Sequence, residues 1–262
     1  MAETQTDYPR QQQFFEVCAA VIKRYHGWTI SGDPGDMSKP CLIVGHHGFG
    51  TMTDPGVFAL FASLGWLDRK LPVTTLMHDL NWKMKMGKAM EEVGGQPASR
   101  KTFSDAVARG HHVSVAPGGD YDTGKAWRDR NKVDFFGRSG FARMAMDEGT
   151  PIVPIVTAGA ATGAFVVTNG AGLMRKLRLN KVPGLKTFPV SVSLPWGLTA
   201  GGPPPYLPLP VRMETRVLPQ LTPEAGETPE RFARRVQDTM QVAMDELVAK
   251  RGPVLGYPVK KG

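Results

Sequence analysis

The chain has 262 residues, 41% of them hydrophobic, with a formal net charge of +8 and a pI of about 9.6. That length suits a single α/β domain and the apolar fraction supplies a sizeable core. The basic balance favours an anionic partner. No zinc-ligand spacing and no interleaving of basic and aromatic residues occurs, which argues against nucleic acid, and the long uncharged run Gly149 to Met174 is broken by Pro151, Pro154 and many Gly and Thr, which argues against a membrane-spanning helix.

The polar start, MAETQTDYPRQQQ, has the character of neither a signal peptide nor an anchor. From Gln11 to Tyr25, helical spacing places Phe14, Phe15, Cys18, Val21, Ile22 and Tyr25 on one face of an amphipathic helix. Gly32 to Lys39 is a turn-rich linker into a short buried strand, Cys41 to Val44. Cys18 and Cys41 both have apolar neighbours, as core thiols of a reducing compartment do. After the strand come Gly45, His46, His47 and a Gly- and Thr-rich loop to Asp54, and Pro55 then opens a helix carrying Val57, Phe58, Leu60, Phe61 and Leu64.

Thr74 to Met77 predicts a strand and Leu80 to Val93 a helix, with Trp82, Met84, Met86 and Met90 among lysines. Gly94 to Pro97 reads as a loop, and Ser99 as the cap of a helix over Arg100 to Arg109. A strand over Val113 to Ala116 ends in a second sharp turn, Pro117-Gly118-Gly119-Asp120, followed by Arg128, Arg130, Lys132 and Arg138. A helix over Ser139 to Glu148 stops at Gly149, and a strand over Ile152 to Val156 follows. No acidic residue occurs between Glu148 and Glu214, while Arg175, Lys176, Arg178, Lys181 and Lys186 fall in that span. Such a cluster is either a solvated face or a patch for anionic lipid headgroups or carrier phosphates. Strands over Val190 to Leu194 and Val211 to Val217 are joined by a Pro-rich loop, and a last helix, Pro229 to Arg251, turns Phe232, Val236, Met240, Ala243 and Leu247 inward.

Strands and helices alternate, and each crossover is long enough to hold a helix, which predicts an α/β sheet, largely parallel. With no repeat and no break in composition, residues 1–262 read as one domain: an N-terminal amphipathic helix within 1–27, an α/β core over 28–220, and a C-terminal helix within 228–252. Ligand sites in such sheets lie at the carboxyl ends of strands. Both special turns, after Val44 and after Ala116, occur there.

A histidine at a strand end can take a proton from a hydroxyl and return it, and a carboxylate at Asp54 can fix its tautomer. Both residues also have plain structural readings, as loop residue and helix cap. A hydrolase would need a G-x-S-x-G elbow and a late histidine. Gly137-Arg138-Ser139-Gly140-Phe141 fails at its last position, and the last histidine is His112. A metal site built from His46, His47, His111, His112, Asp54 and Asp120 has no ligand spacing in its favour, since adjacent histidines on a strand point to opposite faces.

The ordered strings Gly45-His46-His47 to Asp54, Pro117-Gly118-Gly119-Asp120, Gly140-Phe141-Ala142-Arg143-Met144-Ala145 and Pro151-Ile152-Val153-Pro154-Ile155 resemble the motifs of the glycerolipid acyltransferase superfamily. The likeness is to its diacylglycerol-acyltransferase-like, bacterial branch with Pro-Gly-Gly in the third motif. Leu194-Pro195-Trp196-Gly197-Leu198 and Leu207-Pro208-Leu209-Pro210 also fit that branch. The likeness runs from about Trp28 to Gln220. It departs from the family pattern in two places. His46 stands where the family has Asn, and six residues rather than four separate His47 from Asp54. The Glu-Gly-Thr-Arg pattern linked with an acceptor phosphate is missing, which favours an acceptor without phosphate, although Arg128, Arg130 or Arg138 could take its place.

The resemblance implies a single-domain, largely parallel mixed sheet flanked by helices. It implies an enzyme that moves a fatty acyl group from an acyl-CoA or acyl-carrier protein to a lipid hydroxyl. His47 would be the general base, Asp54 its partner, and His46, Gly118, Gly119, Asp120, Arg128 and Arg138 would contact substrate. No cofactor or metal is expected beyond the acyl thioester co-substrate. The location expected is cytoplasmic, peripheral on the inner membrane face. A non-catalytic lipid-binding protein of the same fold is the alternative.

Overall fold

In the computed structural model, the structure describes residues 8–50, 53–67, 70–83, 85–170, 174, 176, 188–201, 205–252 and 255–257. Helix α1 (Gln11–His26) turns Phe15, Cys18, Ile22 and His26 inward and ends at Gly27 in the left-handed conformation. Val21 is exposed, contrary to expectation, because the buried stripe passes through Ile22 and His26 instead. Gln11 is buried on the same face, and its amide is satisfied there by backbone groups. Its Nε2 donates to the carbonyls of Val73 and Val93, and its Oε1 accepts from Val73 N–H.

Then follow β1 (Thr29–Gly32), β2 (Leu42–Val44), α2 (Pro55–Trp66) and β3 (Val73–Met77). The single helix expected over Leu80 to Val93 is two short ones, α3 (Leu80–Lys83) and α4 (Gly87–Glu91). Lys85 between them has φ of 62°, which no helix accommodates, and Gly87 lies so close to the Trp82 ring that a Cβ there would sit 2.3 Å from it. Strand β4 (Gly95–Pro97) replaces the expected loop.

Helix α5 (Arg100–Ala108) is capped by Ser99, which accepts from Thr102 N–H, and leads to β5 (His112–Val115). The Gly119 turn opens α6 (Gly119–Thr123). Next come α7 (Gly140–Asp147) and β6 (Ile152–Ala158), and then three short strands, β7 (Phe165–Thr168), β8 (Val190–Ser193) and β9 (Gly197–Ala200). β10 (Glu214–Val217) and α8 (Pro229–Ala249) follow, and two 3-10 turns, Trp127–Asp129 and Ala160–Thr162, are also described.

The principal sheet has the order β1-β10-β6-β2-β5-β3-β4. Its pairs are parallel except β10 with β6. It is thus a mixed, largely parallel sheet, as expected. Side chains alternate across it. Leu42 and Val44 join Phe103, Phe141, Phe232, Val236 and Met240 beneath α5, α7 and α8. Cys41 and Ile43 join Phe15, Ile22, Leu60 and Leu64 beneath α1 and α2. Two helical layers therefore sandwich β2, which lies at the centre of the sheet and whose three residues are fully buried. Each large side chain so buried contributes roughly 1.5–3 kcal/mol. Cys18 and Cys41 are buried free thiols, and burial pushes them up to about 12 and about 11.

The strands β7, β8 and β9 form a separate antiparallel sheet in which Phe165 stands opposite Val192, and Val192 opposite Leu198. Among the described residues no helix is long and apolar enough to cross a membrane.

Candidate active site

Parallel pairing of β2 with β5 and β6 brings three strand ends side by side. The chain leaves β2 at Gly45, whose N–H still donates to Val115 O of β5 at 2.9 Å. The next two residues are histidines, and they go opposite ways. His46 turns inward: Thr157 N–H of β6 donates to its Nε2 at 2.9 Å, so the proton sits on Nδ1, which donates to His47 O at 3.1 Å. Burial, reinforced by the Lys125 charge, lowers its pKa and keeps it neutral. Both ring nitrogens are thereby committed to the protein rather than to a substrate.

His47 points the other way and keeps 19% of its side chain accessible. Its Nδ1 lies 3.0 Å from Asp54 Oδ2. Asp54 is wholly buried and works at both ends of the loop. Its Oδ1 accepts from Gly48 N–H at 2.9 Å and, as the cap of α2, from Gly56 N–H at 2.7 Å. A carboxylate facing Nδ1 places the proton there and leaves Nε2 with its lone pair, and no described residue bonds Nε2. Burial acts to lower the His47 pKa, but the hydrogen bond and charge of Asp54, with the charge of Asp122, outweigh it, and the net direction is upward.

Asp122 belongs to none of the strings that mark the site in the sequence. Its Oδ2 accepts from His47 N–H at 2.7 Å and its Oδ1 from Lys125 Nζ at 2.7 Å, while Lys125 Nζ also donates to Lys132 O at 3.0 Å. Both charged groups are buried. Burial alone would raise the Asp122 carboxyl, yet the Lys125 ammonium, followed by His47 and His46, holds it below the usual carboxylate range. The pair joins the turn after β5 to the turn after β2. The available signal was the i, i+3 spacing of opposite charges just after the Gly-Gly turn.

Close packing fixes the loop around His47. A Cβ at Gly48 would lie 2.6 Å from Ala160 O and 2.7 Å from Asp54 Oδ1. Phe49 and Tyr206 pack together with Ala164 and Val166, and Tyr206 Oη donates to Phe49 O at 2.7 Å. Burial, then the Asp54 charge, raises the phenol's pKa, which keeps Tyr206 a neutral donor.

The remaining expected site residues divide. Gly118 and Gly119 are at the turn beside the two histidines. Gly119 N–H bends back to Ala116 O at 3.4 Å, and its φ of 50° is one glycine takes readily. Arg138 holds this turn from outside, its Nη1 donating to the carbonyls of Pro117 and Gly118 at 2.8 and 2.7 Å. Asp120 faces His78, with 4.0 Å between carboxylate and ring. Arg128 extends into solvent, its side chain 88% exposed beside Asp129. His111 and His112 are at the start of β5, the opposite edge of the sheet from His46 and His47. Of the basic cluster, Lys176 is described and exposed, while Arg175, Arg178, Lys181 and Lys186 lie outside the described residues. A cleft of about 460 Å³, lined by Gly32 to Ser38, Trp66, Leu67 and Lys70, is at the far edge and shares no residue with the His47 site.

A family model described as diacylglycerol acyltransferase matches residues 38–197, which contain β2, both turns, α7 and β6. The chain belongs to the diacylglycerol acyltransferase family. The family is one of glycerolipid acyltransferases. Relatives include a chicken (Gallus gallus) protein described as a DGAT1/2-independent enzyme synthesizing storage lipids, 27% identical over 190 residues, 70% of this chain and 54% of that one. An uncharacterised protein of Mycobacterium leprae is 29% identical over 143 residues, 55% of this chain and 35% of that one. The chain thus spans about half or less of the length of these curated relatives. The crystal structure of the 1-acyl-sn-glycerophosphate (LPA) acyltransferase PlsC from Thermotoga maritima has the same fold, with a TM-score of 0.52 at 10% identity over 94% of this chain and 85% of that one.

Proposed function

We propose that this member of the diacylglycerol acyltransferase family is an active acyltransferase. It moves a fatty acyl group from a thioester, acyl-CoA or acyl-carrier protein, to a lipid hydroxyl. The observation that carries the reading is the bond from His47 Nδ1 to a buried carboxylate, which leaves a basic Nε2 at an accessible strand end.

His47 Nε2 takes the proton from the acceptor hydroxyl as its oxygen attacks the thioester carbonyl. The tetrahedral adduct collapses, the C–S bond breaks, and the imidazolium returns its proton to the departing thiolate. Asp54 stabilises the imidazolium in between, and general-base catalysis of this kind is worth on the order of 10²–10⁴ in rate. The amide at Gly118, and that at Gly119 if it exchanges its long 3.4 Å bond to Ala116 O, are read as donors to the developing oxyanion or to the acceptor. No covalent acyl-enzyme is required. Arg138 and His46, being spent on backbone groups, act here as positioning residues. Arg128, exposed, and Asp120, beside His78, remain as candidate substrate contacts. A lipid acceptor places the protein at a membrane surface, peripherally and on the cytoplasmic side.

The deciding experiment incubates the purified protein with radiolabelled acyl-CoA, or acyl-carrier protein, and a panel of lipid alcohols, beside His47→Ala. Transfer by the parent and none by the variant, with unchanged thermal melting, is the expected result. Near-normal turnover by His47→Ala would remove His47 as the base. Lipid retention without turnover by the parent would make the protein a binder.

A further inference from the structure

The sheet β7–β8–β9 has two unlike faces. Its inner face carries Val166, Ser191 and Ser193, all buried, and through Val166 it covers Phe49, two residues past His47. Its outer face carries the row Phe165, Val192 and Leu198, in register across three strands and 47, 44 and 70% exposed. Leu194 and Trp196, 51 and 52% exposed, extend the row at the turn from β8 to β9. Large apolar side chains gathered on one face of a short sheet mark a contact surface, whereas single exposed ones do not.

Charge identifies the occupant. All three strands fall in the span from Glu148 to Glu214 that has no interior carboxylate. The segment that joins β7 to β8 contains Arg175, Lys176, Arg178, Lys181 and Lys186 in its sequence. Phe188 N–H donates to Asn169 O at 3.2 Å, so the described chain after β7 and the described chain before β8 meet at one end of the sheet. A second copy of the chain would set like charges against each other. An anionic lipid surface offers both complements at once, headgroup phosphates for the cations and an apolar boundary for Phe165, Val192, Leu198 and Trp196. Trp196 offers that boundary the apolar body of its indole, its N–H donating to Pro205 O at 2.8 Å.

We infer that the outer face of this sheet docks the protein on a bilayer containing anionic lipid. The inference rests on the lipid-acceptor reading for its purpose: the lamina that would touch the membrane is the one whose inner face packs, through Val166, on Phe49 of the loop after His47.

The test is flotation of the full chain with vesicles of phosphatidylcholine alone, and of phosphatidylcholine with about a third phosphatidylglycerol, over a salt series. Val192→Asp combined with Leu198→Asp alters two side chains already in solvent, and equal melting temperatures check the fold. Val242→Asp, at an equally exposed valine on α8, is the control. The parent is expected to float with the anionic vesicles and to weaken as salt rises. The double variant should bind about tenfold more weakly or worse, and the control like the parent. Equal binding by the double variant, an equal loss in the control, or conversion of a dimer to a monomer as the variant's sole effect would overturn the proposal. Turnover on a detergent-dispersed acceptor separates the two readings. A parent that turns over but never floats refutes docking alone, and one that floats through this face without turnover refutes catalysis alone.

Discussion

The backbone N–H of His47 donates to Asp122 at 2.7 Å, across the seam between the ends of two adjacent parallel strands. The base is therefore positioned from two directions, its ring by Asp54 and its main chain by a carboxylate that Lys125 neutralises. Removing one partner of a buried ion pair leaves an uncompensated charge. Lys125→Met should thus destabilise by about 3 kcal/mol or more in urea unfolding and lower turnover as the turn loosens. Adding Asp122→Asn removes the stranded charge while an amide oxygen still accepts from His47 N–H, and the double variant should recover much of the loss.

Asp54→Asn separates two roles that one carboxylate combines. The amide oxygen can still cap α2 and accept from Gly48, so stability should change by less than about 1 kcal/mol. The amide nitrogen would instead face His47 Nδ1 and favour the tautomer with its proton on Nε2, where the base is needed free. Turnover should fall on the order of 10²–10⁴. Asp54→Ala should lose both, roughly 1–2 kcal/mol of stability included.

The pH dependence follows from the direction of three histidine shifts. His47 is a base when neutral, and its pKa is raised, so kcat/KM should climb with pH along a limb centred above about 6.5. In Asp54→Asn the limb should move to lower pH. Stability has mixed signs. The raised His47 contributes stability below its unfolded value that is lost as pH rises through the folded one. His26 and His46, lowered chiefly by burial, bind fewer protons folded than unfolded, so acidification costs stability there. Denaturation midpoints measured downward from neutral pH should accordingly decline more steeply in His47→Gln than in the parent.

Two glycines give opposite expectations. Gly48→Ala drives a methyl onto Ala160 O and Asp54 Oδ1 and should cost about 2 kcal/mol along with most of the turnover. At Gly140, the first position of α7, an added methyl would meet nothing within 4 Å, and φ is ordinary. Gly140→Ala should raise stability by roughly 0.5–1 kcal/mol with activity intact, as melting curves and turnover would show.

What could be read in advance follows the strength of local signals. Helix α8 has Phe232, Val236, Met240, Ala243 and Leu247 at helical spacing, and all five are buried. Helix α5 announces itself by Ser99, and α7 by its stop at Gly149. The short strands β1, β4, β7 and β9 were not legible. They contain Gly, Pro or Thr and too few residues to establish alternation, and their pairing is decided by distant partners such as Glu214 for Thr29. The strand end and the helix start pointed to a histidine and Asp54, but local signals left His46 and His47 both open; the family resemblance chose His47, and the 3.0 Å contact with Asp54 came from the structure. Asp122 was not legible, because an i, i+3 pair of opposite charges such as Asp122 and Lys125 is ordinary on an exposed helical face, and nothing local marks this one as buried.

Because Asp54 grips Gly48 N–H at one end of the loop and Gly56 N–H at the other, the intervening chain is a handle closed by its own clasp. The separation of base and carboxylate along the chain is set free from their separation in space. Residues inserted between the two clamped amides lengthen the handle and leave the clasp shut. A search for this pairing by fixed spacing would pass over the chain, and one that seeks the clasp, a capping carboxylate reaching back to the amide after a histidine, would find it.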